Sequence, residues 1–194
     1  MERKHGAWTI KSSECRYRDE FVEFWVDEAV GPDGKPGRRA TLRMKPGVSV
    51  LALDAEGFVH LVRQFRYAVG RESIEAVMGG ADEGEEPSEA ARRELREELG
   101  IEAAELTDLG LVDAVTSQVL SPSQIFLARG LSFKEPDRDV TESMEPFKVR
   151  LGEAVRMVMD GEITQSTSCV LILKASRLLE DEEKGQTGSR LNLR

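Results

Sequence analysis

Three carboxylates, Glu94, Glu97 and Glu98, lie close together in the run Ala90-Ala91-Arg92-Arg93-Glu94-Leu95-Arg96-Glu97-Glu98-Leu99. If this run is helical, spacings of three and four place side chains on one face, and the three form a single anionic cluster. Glu94 and Glu98 are four apart, where like charges repel by roughly 0.2–0.5 kcal/mol in an isolated helix. Something positive should offset that. Hard divalent cations take oxygen ligands, and Mg²⁺ in particular is commonly shared between a few carboxylates and substrate phosphates. The other reading is a solvated acidic face whose carboxylates pair with Arg92, Arg93 and Arg96 at the surface. On the cluster alone, both readings stand.

The elements around the cluster decide whether it can be presented in one geometry. Glu86-Pro87-Ser88 places proline in the first turn of a helix, Ala90, Ala91, Leu95 and Leu99 recur at helical spacing, and Gly100 stops it. Ahead of it, Trp8 to Lys11, Glu20 to Val26 and Arg39 to Met44 read as strands of a meander, the last two separated by the turn-forming Gly31-Pro32-Asp33-Gly34-Lys35-Pro36-Gly37. A hairpin follows: Val48 to Leu53 and Phe58 to Arg63 flank Asp54-Ala55-Glu56-Gly57, and their apolar runs predict strands covered on both faces. Beyond the helix, Leu109 to Val115 and Ser123 to Ala128 read as strands, and Leu151 to Met159 and Cys169 to Leu179 as helices. From Glu180 the chain is polar, which predicts a fraying tail.

Composition bounds the partners. The chain has 194 residues, enough for one domain of ordinary size, and 27 Lys plus Arg against 36 Asp plus Glu leave a net charge of −9. That excess argues against nucleic-acid polymers and anionic membranes as partners. Cys15 and Cys169 suggest neither a disulfide framework nor a metal site, and no apolar run is long enough to span a bilayer, so a cytoplasmic protein is expected. His60 alternates with Phe58 and Val62 and reads as a structural histidine. No Ser-His-Asp or Cys-His arrangement is suggested by position.

The wider spacing separates the two readings of the cluster. From Gly79 the chain runs five residues to Glu85, seven to Arg93-Glu94-Leu95, one to Glu97-Glu98 and one to Gly100-Ile101. This resembles the Nudix box at every specified position, a coincidence expected on the order of once in 10⁵ chains at ordinary residue frequencies. The resemblance implies a Mg²⁺-dependent (or Mn²⁺-dependent) hydrolase of nucleoside diphosphates linked to another moiety, with an α/β/α sandwich around a mixed sheet. Carried onto this chain it makes Glu94 and Glu98 the main metal ligands, with Glu97 a third ligand or a base, and lets the Met78 carbonyl add a backbone ligand. Arg93 would lock the carboxylates in place, with Glu85 a fixed part of the motif. Gly79 and Gly100 would serve the turn into the site and the helix stop.

The flanks are similar to the ADP-ribose pyrophosphatase branch. They are Leu61-Val62-Arg63-Gln64-Phe65-Arg66-Tyr67, Glu75 ahead of the box, Gly6-Ala7-Trp8 with its strands, and Gly161-Glu162-Ile163 before the last helix. By that resemblance Arg66 contacts diphosphate, Glu75 the adenine or ribose region, and Trp8 stacks on the base, with Arg43 a further phosphate contact. A glutamate of the late acidic segment 135–146, Glu145 first and Glu142 second, matches the branch's general base. The implied organisation is an N-terminal β-extension over 1–45 serving dimerisation and substrate contacts, a Nudix domain over 46–180, a polar flexible tail over 181–194, and a homodimer. Two departures bear on substrate: Val77-Met78-Gly79 replaces Pro-Ala-Gly, and a Pro-Gly pair expected near Thr116-Ser117-Gln118 is absent, with Pro122 displaced. The expected reaction is hydrolysis of ADP-ribose or a related nucleoside diphosphate sugar to a nucleoside monophosphate and a sugar phosphate. The alternatives are another diphosphate substrate, such as a dinucleoside polyphosphate or NADH, and a non-catalytic sensor of ADP-ribose-like ligands.

Overall fold

A computed structural model describes residues 2–135 and 144–191. In chain order the elements are β1 Arg3–His5, β2 Trp8–Arg18, β3 Val22–Val30, β4 Pro36–Met44, β5 Gly47–Leu53, β6 Phe58–Arg66, β7 Arg71–Glu75 and β8 Val77–Gly80. They continue with α1 Pro87–Leu99, β9 Ile101–Asp113, β10 Val119–Leu120, β11 Pro122–Phe133, β12 Met144–Arg150, α2 Leu151–Met159 and α3 Ser166–Leu191. The chain divides into two compact units, residues 1–46 with 113–122, and residues 47–112 with 123–194.

In the first unit, β1 to β4 form an antiparallel meander, and β10 adds to β4 in parallel through Val119 and Leu120 opposite Leu42 and Arg43. The expected turn between β3 and β4 is present: Gly34 takes φ +77° and its N–H donates to the Gly31 carbonyl at 3.0 Å. That left-handed backbone is open to glycine at no steric cost. Strand β2 runs well past the expected Lys11. Two register shifts, between Ile10 and Ser12 and between Cys15 and Tyr17, let it follow the twist of β3.

In the second unit the sheet order is β12-β6-β5-β11-β9, with β7 on β6 and β8 on β5. It is mixed: β11 runs parallel to β5, with Phe126 opposite Val50, whereas β6 and β8 are antiparallel to β5. The alternation of β5 explains the layering. Val48, Val50 and Ala52 enter one core with Ala90, Ala91 and Leu95 of α1, while Leu51 and Leu53 enter another with Ala154 and Met157 of α2 and Leu171, Ile172 and Ala175 of α3. Apolar residues at every position of the strand are what a sheet covered by helices on both faces requires. The result is the expected α/β/α sandwich. The sheet switches partners at Ala76: Glu75 ends β7 opposite Val62 of β6, and Val77 opens β8 opposite Val50 of β5.

Helix α1 occupies the span its punctuation predicts. Pro87 sits at its first turn, and Gly100 closes it at φ +64° with its N–H donating to the Arg96 carbonyl at 3.0 Å. Two expectations are corrected. Glu145 was expected in a loop; it lies on β12, opposite Arg63 of β6, because the strand opens at Met144. Glu142 lies outside the described residues. Helix α3 begins before Cys169 and continues past Glu180 to Leu191. Gln165 caps its start by accepting from the Ser168 N–H at 2.6 Å. Its later turns are tied by Arg177 to Glu180 and Asp181, and by a two-pronged pair from Arg129 to Glu182 at 2.9 and 3.2 Å. Charge pairs on the helix surface thus extend it where apolar periodicity has ended.

Asp54 closes the β5–β6 turn. Its carboxylate accepts from the Phe58 N–H at 2.8 Å and lies 3.1 Å from His60 Nε2 and 2.7 Å from Lys148 Nζ of β12. Burial pushes its ionisation upward, but the hydrogen bonds from Lys148, Phe58 and His60 outweigh it and hold the carboxyl below the usual range. His60, whose ring lies 5.1 Å from that of Phe133, is accordingly a turn-fixing residue. Among the described residues no helix is long and apolar enough to cross a membrane.

The Arg129–Glu182 pair should matter locally. Glu182→Ala should raise amide exchange over residues 180–185 by about tenfold or more while the global thermal midpoint moves by less than about 2 °C, since the contact anchors only the end of the helix. Unchanged exchange would show that the helix end needs no anchor.

Candidate active site

The site is built on α1 and on the strand that faces it. Arg93 is its hub. Its Nε and Nη2 each donate to Glu85 at 3.0 Å, its Nη1 donates to Glu94 at 2.7 Å and to Glu97 at 3.2 Å, and Nη2 also reaches the Gly80 carbonyl at 2.9 Å. Glu85 in turn accepts from the Asp82 N–H at 3.0 Å, so the loop between β8 and α1 is folded back onto the helix. Glu98 is buried at 9% exposure. The guanidinium fork suits this task because its donors lie in one plane and can serve several carboxylates at once.

Glycine at position 79 is a packing requirement. A Cβ there would come within 2.0 Å of the Glu94 carboxyl carbon, so the carboxylate lies directly against the backbone of β8. Met78 precedes it, in register with Ser49 of β5. Glu94, Glu97, Glu98 and the Met78 carbonyl form an all-oxygen donor set carried on two adjoining elements, which suits a hard divalent cation. Among the described residues no three of these carboxylates already meet around one point. Arg93 holds Glu94 and Glu97 instead.

In the same unit, Arg66 and Glu75 are bonded to each other. Arg66 Nε and Nη2 donate to Glu75 Oε2 at 3.0 and 2.6 Å. The carboxylate is 3% exposed and the guanidinium 38%, so the pair presents a fixed cation toward solvent. Trp8 and Arg43 belong to the other unit. The Arg39 guanidinium lies 4.2 Å from the Trp8 ring centroid and that of Arg43 4.6 Å from the ring of Trp25, stacked cation–aromatic contacts. Gly31 leaves room for Trp8, since a Cβ there would approach its ring to 3.1 Å. The structure therefore joins Glu85, Arg93, Glu94 and Glu97 in one network with Gly79 packed against Glu94, places Met78 beside Gly79 on β8 and Glu98 and Gly100 on and after α1, and pairs Arg66 with Glu75. Glu145 is exposed on β12. Sequence reading missed the Gly80 carbonyl and Arg39. The Arg39–Trp8 contact follows from strand register, and no residue spacing announces it.

The site thus joins an arginine-ordered carboxylate helix to a glycine-lined strand, on a sheet covered on both faces. Residues 43–162 match the NUDIX domain family. The chain is 30% identical over 164 residues to the ADP-ribose pyrophosphatase of Bacillus subtilis (strain 168), covering 80% of this chain and 85% of that one. It is 27% identical over 168 residues to the methanol dehydrogenase activator of Bacillus methanolicus, covering 84% and 89%. Its fold matches the crystal structure of an ADP compounds hydrolase with a TM-score of 0.77 at 22% identity, over 93% of this chain and 98% of the other. The chain belongs to the Nudix hydrolase family.

The ion pairs leave a titration signature. Hydrogen bonds from Arg93, then from the Asp82 amide, lower Glu85 from its ordinary 4.5 to about 2, and the same bonds to Glu85 push Arg93 further up. A carboxyl depressed in the folded state contributes stability that is complete above pH 4.5 and lost as the pH falls through about 2. In Glu85→Gln that part of the acid dependence should disappear. The variant should be less stable than wild type at pH 7, with the difference closing between pH 4.5 and 2 in chemical denaturation. A pH-independent difference would contradict the assignment.

Proposed function

We propose that this protein hydrolyses the pyrophosphate bond of ADP-ribose or a related nucleoside diphosphate sugar with Mg²⁺, Mn²⁺ being a possible substitute. The observation that carries this reading is the hold of Arg93 on Glu85, Glu94 and Glu97, which presents a carboxylate set a cation can use. Water adds to one phosphorus, the bridging P–O bond breaks, and the products are a nucleoside monophosphate and a sugar phosphate. Glu94, Glu98, Glu97 and the Met78 carbonyl would hold the metal, which when bound supplies neutralisation of diphosphate charge and polarisation of the reacting oxygens.

The chain's own residues supply the rest. Arg93 keeps Glu94 and Glu97 from splaying apart, and Gly79 lets the Glu94 carboxylate lie against β8. Arg66, half-exposed and oriented by buried Glu75, is the proposed contact to an anionic diphosphate; the resemblance assigns Glu75 also to the adenine or ribose region. Trp8, with Arg39 on its ring, is the proposed base contact, and Arg43 a further phosphate contact. Glu145 is the proposed base, drawing a proton from the attacking water directly or through one intervening water. In this reading residues 1–45 serve dimerisation and substrate contact and 46–180 carry the chemistry, in a cytoplasmic homodimer.

The names of the relatives support this substrate class: one is an ADP-ribose pyrophosphatase, and the structural neighbour is an ADP compounds hydrolase. The Bacillus methanolicus relative is named for activating another enzyme, so a panel of nucleoside diphosphate compounds ranked by kcat/KM is the informative assay. Wild type with Mg²⁺ should release AMP from ADP-ribose, and Glu98→Gln should lower kcat by about 100-fold or more with an unchanged circular dichroism spectrum. Ligand binding without turnover, under Mg²⁺ and Mn²⁺ alike, would favour a sensor instead.

A further inference from the structure

The point where the sheet changes partners, Ala76, lies between the Arg66–Glu75 pair and the β8 backbone against which Glu94 packs. Ala76 is fully buried, and its N–H falls between two ladders, β7 on β6 and β8 on β5. A buried N–H at such a point needs an acceptor from elsewhere. It finds one in α3: the Ala76 N–H donates to Ser168 Oγ at 2.9 Å, across 92 positions of sequence. Ser168 is itself fully buried, and its N–H donates to the side chain of Gln165 at 2.6 Å, which fixes the first turn of the helix. Beside it runs a chain of hydroxyls that shares the same cap, since Thr167 Oγ1 donates to Gln165 Oε1 at 2.9 Å. Ser49 Oγ lies 3.3 Å from both Thr167 Oγ1 and Ser123 Oγ, linking α3 to β5 and β11 without touching Ala76.

We propose that Ser168 is a positioning residue for the active site: by accepting the Ala76 N–H it fixes the crossover that places Glu75 on one side and the Met78–Gly79 backbone on the other. Only Val77 and Met78 separate Ala76 from Gly79, where the backbone and the Glu94 carboxylate are already at the limit of contact. A small shift of the crossover is therefore passed to the seat of Glu94 and to the Met78 carbonyl. On the other side, Glu75 is the adjacent residue, and its Oε2 orients Arg66. Ser168 touches no reacting atom; it acts through Ala76. This inference rests on the hydrolytic reading of the site.

The test compares Ser168→Ala with Thr167→Val, which removes a neighbouring buried hydroxyl and its bond to Gln165 from the same turn but keeps the Ser168 hydroxyl that accepts from Ala76. In Ser168→Ala, amide exchange at Ala76 should rise at least tenfold, the affinity for Mn²⁺ alone should fall several-fold, and kcat/KM for ADP-ribose should fall about tenfold. Ser168→Thr, which keeps the acceptor, should restore Ala76 protection. Thr167→Val should lower the thermal midpoint at least as much yet leave kcat/KM and Mn²⁺ affinity within twofold. Unchanged Ala76 exchange in Ser168→Ala overturns the proposal, as does an equal loss of Mn²⁺ affinity in Thr167→Val. If wild type hydrolyses no nucleoside diphosphate compound, the hydrolytic reading falls, while exchange and Mn²⁺ affinity still decide the role of Ser168.

Discussion

Everything at the site depends on one guanidinium among carboxylates. Glu94, Glu97 and Glu98 sit on one turn of α1, and without a cation between them their mutual repulsion would turn them toward separate rotamers and water. Arg93 meets Glu85 with Nε and Nη2 and both Glu94 and Glu97 with Nη1, all in one planar group, and adds the Gly80 carbonyl. A lysine, with a single point charge on a flexible stem, could not engage three carboxylates and a carbonyl in fixed directions. The same contacts draw the β8–α1 loop onto the helix, so the interaction that orders the charge also orders the backbone around it.

The surrounding architecture keeps that hub in place. Helix α1 is clamped to the sheet by Ala90, Ala91 and Leu95, whose small and aliphatic side chains let it lie close to β5 and β8. The opposite face of the sheet is closed by α2 and α3, and α3 reaches through to the strand crossover by the Ser168–Ala76 bond. Rigid elements on both sides of the sheet thus converge on a few strand residues, an arrangement that holds a reactive geometry better than a loop does. The net charge of −9 takes on a local meaning here. In the proposed reading an acidic chain accepts an anionic diphosphate only where cations are gathered, and the carboxylate helix with its metal and the Arg66–Glu75 pair would be two such places.

Much of this was legible in the sequence because local chemistry fixed it. Pro87 and Gly100 bound α1 through dihedral constraints that act on single residues, and the apolar run of β5 announced a strand buried on both faces. The box residues were legible because a spacing of three or four on a helix is already a spatial statement. What sequence could not show depends on partners distant along the chain. Glu145 reads as part of an acidic loop until β6 pairs with it as β12. Helix α3 reads as ending near Leu179 because apolar periodicity stops there, while Arg129, on another element, supplies the pair that extends it. Arg39 and Ser168 have no motif of their own; strand register places the first on Trp8, and a sheet crossover needs the second.

In the proposed mechanism Arg93 arranges the carboxylates for a cation. Isothermal titration of Mn²⁺ into wild type and Arg93→Lys, with no nucleotide present, tests it most directly, because charge is conserved and only the fork is removed. Loss of about 10–100-fold in affinity by the lysine variant, with the fold intact, is the predicted result. Equal or tighter binding would contradict the account, showing that the guanidinium competes with the metal for these carboxylates.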